Sequence, residues 1–307
     1  MRTRPKINFM DESRETPRIS GQRLRSLGDW ICIRDPRGRT LQPALVPARE
    51  SGDLEVHGSF TVIQRFSITP AEGKSFVEAS RDSNPIHTQD TVVPGAMTTA
   101  RFILLPEILI PGLAVKGMRV KFKAFSRYGL PTVNIYSFRM EGSDLLDVEL
   151  QSLQGGVVVA EGSLSTRMED PSAVPAVEVP GPSAEVIRDF LRSVRVQPER
   201  FLSFLGFNYP RAFLAALPPG EMVRLGGAGG LLNILDLEFP DAQTPAITEE
   251  PLPKVEVEQT RPRNTFRKIL ARVGNGIRTY CHGYATVLAS MVLGTSRKRE
   301  SHSASTS

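Results

Sequence analysis

Ser80-Arg81-Asp82-Ser83-Asn84-Pro85-Ile86-His87 is the stretch on which the reading of this chain turns. Proline fixes its own φ and pushes the preceding residue to extended geometry, so Asn84-Pro85 makes a stiff corner. Asp82 and His87, on either side of it, can then face one small volume. Such a pair suits proton transfer, because an imidazole with an ordinary pKa of about 6.5 reaches both protonation states near neutral pH. The sequence leaves open which of the two accepts a proton and which donates it. A second element, Pro94-Gly95-Ala96-Met97-Thr98-Thr99-Ala100, opens a segment that is apolar nearly all round through Ile103, Leu104 and Ile108, as a buried helix must be.

Together the two elements resemble the active-site motifs of the MaoC-like hotdog dehydratases, which include (R)-specific enoyl-thioester hydratases and 3-hydroxyacyl-thioester dehydratases. Members usually read Ser-Gly-Asp-x-Asn-Pro-x-His, followed by His-Gly-Met-x-x-x-Ala. Ser80, Asp82, Asn84, Pro85 and His87 match the first motif, and Arg81 replaces its glycine; Gly95 is kept in the second, with Pro94 in place of the histidine. The likeness runs from roughly Phe60 to Met168. It implies a hydro-lyase that dehydrates (R)-3-hydroxyacyl or hydrates trans-2-enoyl thioesters, carried on coenzyme A or acyl carrier protein, in fatty-acid or polyketide metabolism. Asp82 and His87 would move the protons, and Asn84 would orient their loop. The Gly95 N–H, backed by the helix dipole, would stabilise charge on the thioester oxygen. That chemistry needs no cofactor and no metal. The alternatives on the same fold are a non-catalytic protein that binds acyl thioesters or a partner enzyme, and a thioesterase. A binding module would not need both Asp82 and His87, and a thioesterase would not need their spacing.

Around the motifs the pattern is that of an α+β hotdog. Phe60-Thr-Val-Ile-Gln-Arg-Phe-Ser-Ile-Thr69 is β-branched and aromatic, as strands are. Thr69-Pro70-Ala71-Glu72 combines an N-cap hydroxyl, proline at the first helical position and glutamate three after the cap, predicting a helix through Ala79. From Gly117 to Phe125, Met118, Val120, Phe122 and Ala124 alternate with Arg119, Lys121 and Lys123, so one face of a strand is core and the other cationic. That row could steer the phosphates of a thioester carrier, although a solvated strand face is the commoner meaning of such a pattern. Strands at 132–140, 145–151 and 157–166 follow. Between His87 and Gly95 the chain is shorter than is usual in the family, which predicts an open pocket mouth, or else a Gly95 moved out of reach.

Beyond a Pro-rich stretch the pattern starts again. Val196-Gln-Pro-Glu-Arg-Phe-Leu echoes the first helix start, Tyr209-Pro210 stands where Asn84-Pro85 did, Ala212 to Leu217 echoes the buried helix, and Gly230 to Phe239 echoes the strand around Phe122. The expectation is a double hotdog with a degenerate second half lacking Asp and His at its corner. The divisions are a flexible arm (1–20), a motif-bearing hotdog (21–169), a linker (170–183), the degenerate half (184–294) and a disordered basic tail (295–307).

Composition excludes several classes. Two cysteines, Cys32 and Cys281, make no disulfide framework and no metal-ligand spacing, which fits a reducing compartment. Neither end carries an apolar run long enough for a secretory signal or a membrane span, so a cytoplasmic protein is expected. The net charge of +5 is scattered among acids and accompanies no nucleic-acid-binding motif. Gly226-Gly-Ala-Gly-Gly230 lacks a P-loop lysine and reads as a turn before a strand. Cys281-His282 lies on a strand-like run, where adjacent side chains point to opposite faces and cannot cooperate. Association into a homodimer is left open.

Overall fold

The computed structural model describes residues 18–19, 30–42, 54–55, 58–89, 91–141, 145–169, 182–196, 209–226, 230–240, 254–259, 266–274 and 279–288. Most of the expected arm and linker, the tail, and the echo of the helix start after Val196 lie outside these residues. Strands β1 (Arg18–Ile19), β2 (Trp30–Arg34), β3 (Thr40–Gln42), β4 (Leu54–Glu55) and β5 (Phe60–Ser67) precede helices α1 (Pro70–Ser80), α2 (Ile86–Gln89) and α3 (Gly95–Leu109). Strands β6 (Leu113–Phe122), β7 (Pro131–Glu141), β8 (Leu145–Gln154) and β9 (Val157–Met168) complete the first half. Helices α4 (Pro182–Ser193) and α5 (Tyr209–Gly226) then lead to β10 (Leu231–Glu238), β11 (Lys254–Gln259), β12 (Phe266–Gly274) and β13 (Thr279–Leu288).

Helix α1 begins as its sequence dictates. Thr69 Oγ1 accepts the Glu72 N–H at 3.2 Å, and the Glu72 carboxylate accepts the Thr69 N–H at 2.7 Å. This reciprocal capping box satisfies two of the orphan donors of the first turn. The helix ends on Arg81, whose φ of 58° is left-handed, while the Asp82 N–H reaches back to the Val77 carbonyl at 3.0 Å. Glycine adopts that conformation freely, whereas a side chain there costs roughly 1–2 kcal/mol. The family's usual glycine at this position therefore has a backbone reason, and this chain carries the strain instead.

Helix α3 is buried at every residue from Ala96 to Leu109. It packs against a sheet of eleven strands in the order β11-β12-β13-β10-β6-β9-β8-β7-β5-β2-β3. Outward from the centre, β6 meets β9, β8 and β7, while β10 meets β13, β12 and β11, so each half inverts its strand order in the same way. The seam is the antiparallel pair β6 and β10, in register Arg119↔Asp236. Phe122 and Phe239 each stand three residues beyond that pair. A long buried helix embraced by antiparallel strands, present twice, is the α+β double hotdog.

Two boundaries differ from expectation. Ile19, placed with the arm, is fully buried in β1, which pairs with β4. Helix α4 begins inside the expected linker and is held by aromatic contacts, with Phe190 5.8 Å from Phe76 of α1 and 5.2 Å from Phe213 of α5. The Arg195 guanidinium just beyond it also pairs with Glu72. Burial raises the Glu72 pKa, but the bonds from Arg195 and Thr69 outweigh it and hold the carboxyl below its ordinary value.

Between the two long helices lies a buried charge cluster. Glu107 Oε1 accepts the Val115 N–H at 2.9 Å, Arg211 Nη1 donates to the Val115 carbonyl, and Arg211 Nη2 lies 3.4 Å from Glu169, which also pairs with Lys116. Burial pushes the Glu107 carboxyl up to about 8 from 4.5, against the opposing pull of Arg211. Folded Glu107 thus keeps its proton until about pH 8, whereas the unfolded chain releases it near its ordinary value. Between those limits the folded state binds more protons, so this contribution is complete below the unfolded pKa and is lost as pH rises toward the folded one. The loss should be on the order of a few kcal/mol. Denaturant unfolding at acid and mildly alkaline pH should show Glu107→Gln flattening the wild-type decline; parallel profiles would refute this.

Candidate active site

The end of α1 sets Asp82, and local turns do the rest. Asp82 Oδ1 accepts the Asn84 N–H at 3.1 Å, and Asn84 Oδ1 accepts the Ile86 N–H at 3.3 Å. These turns start α2 and bring His87 Nε2 to 3.5 Å from Asp82 Oδ2, with both side chains buried. His87 Nδ1 lies 3.1 Å from the Val92 carbonyl. A carbonyl only accepts, so Nδ1 carries a hydrogen and Nε2 is the atom turned to Asp82. An unprotonated Nε2 facing an ionised carboxylate would set lone pair against lone pair; one further proton shared between them removes the conflict. Burial favours this sharing, because it raises the Asp82 pKa against the opposing effects of His87 and the Asn84 N–H.

The segment after His87 is pinned. Val92 bridges to Arg127, the Val93 N–H reaches Ser126 O at 2.9 Å, and the Tyr128 N–H reaches Thr91 O at 2.9 Å. The Tyr128 hydroxyl donates to the His87 carbonyl at 3.2 Å. Its ring fits because Gly73 has no side chain: a Cβ there would come within 2.2 Å of the hydroxyl oxygen. Burial, reinforced by the Asp82 charge, pushes Tyr128 up to about 12, so it remains a neutral donor.

Asp82 and His87 open onto a cavity of about 50 Å³, with Gly95, Ala96 and Thr98 of α3 beside them. Pro94 stands at the N-cap of α3 and makes no side-chain cap bond. Proline has no side-chain acceptor, so the first-turn N–H groups keep the partial positive charge of a helix start toward this space. Phe122 and Leu232 press on Gly95 from the side: a Cβ on Gly95 would lie 3.0 Å from the Phe122 ring and 3.3 Å from Leu232. Residues 91–93 are held down by residues 126–128, and Phe122 and Leu232 line the cavity beside Gly95.

The degenerate half builds part of this site. Asn84 Nδ2 donates to Gly230 O at 2.6 Å, and Pro219, Leu231 and Leu232 line the cavity. None of these was singled out for the site from sequence. Gly230 lay in a run read as a turn, and a carbonyl acceptor 146 residues from its donor leaves no local signature. The cationic row is not brought in. Arg119 and Lys121 are exposed on the face of β6 opposite Phe122, and Lys123 is exposed just beyond its end, with Lys123 2.6 Å from Glu161 and Arg119 3.8 Å from Asp236. Cys281 is fully buried, which pushes its thiol pKa up, while His282 lies beside Glu238 at 3.4 Å.

Across the seam the two halves meet in a related way: Gly95 abuts Leu232, four residues before the seam residue Asp236, and Arg211 bonds Val115, four residues before Arg119. Among the described residues no cluster of three or more His, Cys, Asp or Glu could hold a metal, and no helix is long and apolar enough to cross a membrane.

No protein-family model and no curated protein sequence matches this chain. Solved structures do match in fold. One described as a MaoC-like dehydratase shares 10% identity at a TM-score of 0.54, covering 76% of this chain and 98% of the other. A MaoC-like dehydratase from Phytophthora capsici shares 9% at 0.52, covering 76% and 96%. The full-length peroxisomal multifunctional enzyme type 2 from Drosophila melanogaster shares 11% at 0.50, covering 74% of this chain and 48% of that one. At these identities the likeness is one of fold, and it spans both halves of the sheet.

Proposed function

We propose that this protein is a MaoC-like hydro-lyase that adds water to trans-2-enoyl thioesters or removes it from (R)-3-hydroxyacyl thioesters, with one active site per chain. The observation that carries the reading is the buried Asp82–His87 pair, 3.5 Å apart in a cavity beside the start of an uncapped, apolar helix. Ion pairs of that kind are poor stabilisers, and a raised carboxylate pKa in a cavity is more often found where protons are moved.

In the hydration direction, the pair holds a water beside C3 of the enoyl group. One member takes a proton from the water as its oxygen bonds to C3. The other gives a proton to C2 as the enolate-like intermediate collapses. One proton enters the pair and one leaves, so it is restored at each turnover. Dehydration runs the same steps backward. Between them, negative charge on the thioester oxygen is met by the N–H groups of Gly95 and Ala96, a kind of donor whose loss typically costs roughly 2.7–4 kcal/mol of barrier. Asn84 holds the loop by bridging to Gly230, the Tyr128 hydroxyl holds the His87 backbone carbonyl, and the Val92 carbonyl holds the imidazole from behind. The substrate carrier is coenzyme A or an acyl carrier protein. The second half has no Asp or His at the corner where Tyr209-Pro210 stands, so one chain carries one site.

The direct test is to follow the conjugated-thioester absorbance of crotonyl-CoA, or of crotonyl carrier protein, with purified protein. Loss of absorbance with formation of the (R)-3-hydroxy product is expected. A folded protein inactive on both carriers would favour the non-catalytic binding reading.

A further inference from the structure

Resting on that reading, we infer that the site accepts only short acyl groups, with Pro219, Phe122 and Leu232 setting the limit. The exposed end of the cavity is formed by Ala124, Phe125 and Ser126, and the buried end by Asp82, Ala96 and Thr98. A carrier arm must enter from the exposed end, so the acyl tail has to continue inward past the reacting carbons. There it meets a wall. Pro219 of α5 lines the cavity, and the next residue, Gly220, lies so close to the motif loop that even a Cβ would be 2.6 Å from Ser80 O and 3.4 Å from Asp82 N. No aliphatic chain passes between backbones in such contact.

The sides are closed as well. Phe122 and Leu232 both touch the start of α3 at Gly95, and Asn84 ties the Gly230–Leu232 strand start to the motif loop. The cavity of about 50 Å³ compares with ligand pockets of roughly 300–1,000 Å³, and a single water needs roughly 10–15 Å³ of such space. It has room for the reacting water and a very short substituent at C3. Each surplus methylene would have to displace packed side chains or the interlocked α5.

The experiment compares kcat/KM of the full chain for crotonyl-CoA and trans-2-decenoyl-CoA, then repeats the comparison in Phe122→Ala and Leu232→Ala. The wild type should prefer crotonyl-CoA by about tenfold or more, the scale on which a pocket resolves misfitting methylenes. Either substitution should narrow that preference severalfold by raising turnover of the longer thioester. Decenoyl turnover equal to or above crotonyl turnover in the wild type would overturn the inference while leaving the hydratase reading intact. Inactivity on both thioesters would remove the reading, and this inference with it. A preference unchanged in both variants would overturn the assignment of the limit to these side chains.

Discussion

Asp82→Asn and His87→Ala should each lower hydration of crotonyl-CoA by roughly 10²–10⁴-fold, the range over which positioned acid–base groups act, while the chain stays folded. Asparagine keeps the acceptor for the Asn84 N–H but cannot ionise or share a proton with His87. The effect on stability separates a working residue from a structural one. Asp82 has a raised pKa in the fold, so its native contribution is complete below the unfolded carboxyl pKa and declines as pH rises toward the folded value. Above the unfolded carboxyl pKa its burial therefore opposes folding, and the asparagine variant should be no less stable than the wild type. A residue that costs stability and can be replaced without structural loss is retained for its chemistry. Steady-state rates with thermal unfolding test both halves of the statement; full activity in both variants would end the assigned mechanism.

Removing everything after Glu169 should give an inactive fragment that is insoluble or self-associating. The cut frees the edge of β6 from Gly117 to Lys121, now paired with β10, and an unpaired edge at the centre of a large sheet is a template for further pairing. It also strips α5 from α3, exposing an apolar helix that is buried along its whole length. Glu107 and Glu169 lose Arg211, and the cavity loses Pro219, Leu231, Leu232 and the Gly230 carbonyl that anchors Asn84. Size-exclusion chromatography and the thioester assay are the measurements. A soluble, monomeric and fully active fragment would show that the second half is dispensable for the site.

What the sequence by itself determined is what short-range covalent geometry controls. Thr69-Pro70-Ala71-Glu72 starts α1 because all the groups of the capping box lie within four residues. Asp82 and His87 face each other because a helix end and two side-chain turns, all between Val77 and His87, set their separation. Alternation of Met118, Val120 and Phe122 with the cations placed β6 as a half-buried strand, and the same reasoning kept Cys281 and His282 on opposite faces. Tertiary structure alone decided the rest. Helix α4 was hidden because its start is rich in proline and small residues, and only the stack of Phe76, Phe190 and Phe213 shows what holds it. Whether the basic row faced substrate or solvent depended on which side of β6 received α3. Pro219 and Leu232, more than 120 residues from the motif, line its cavity. Contacts of that kind depend on how two halves dock, and docking is specified by the summed shape of many side chains, which no spacing within one segment records.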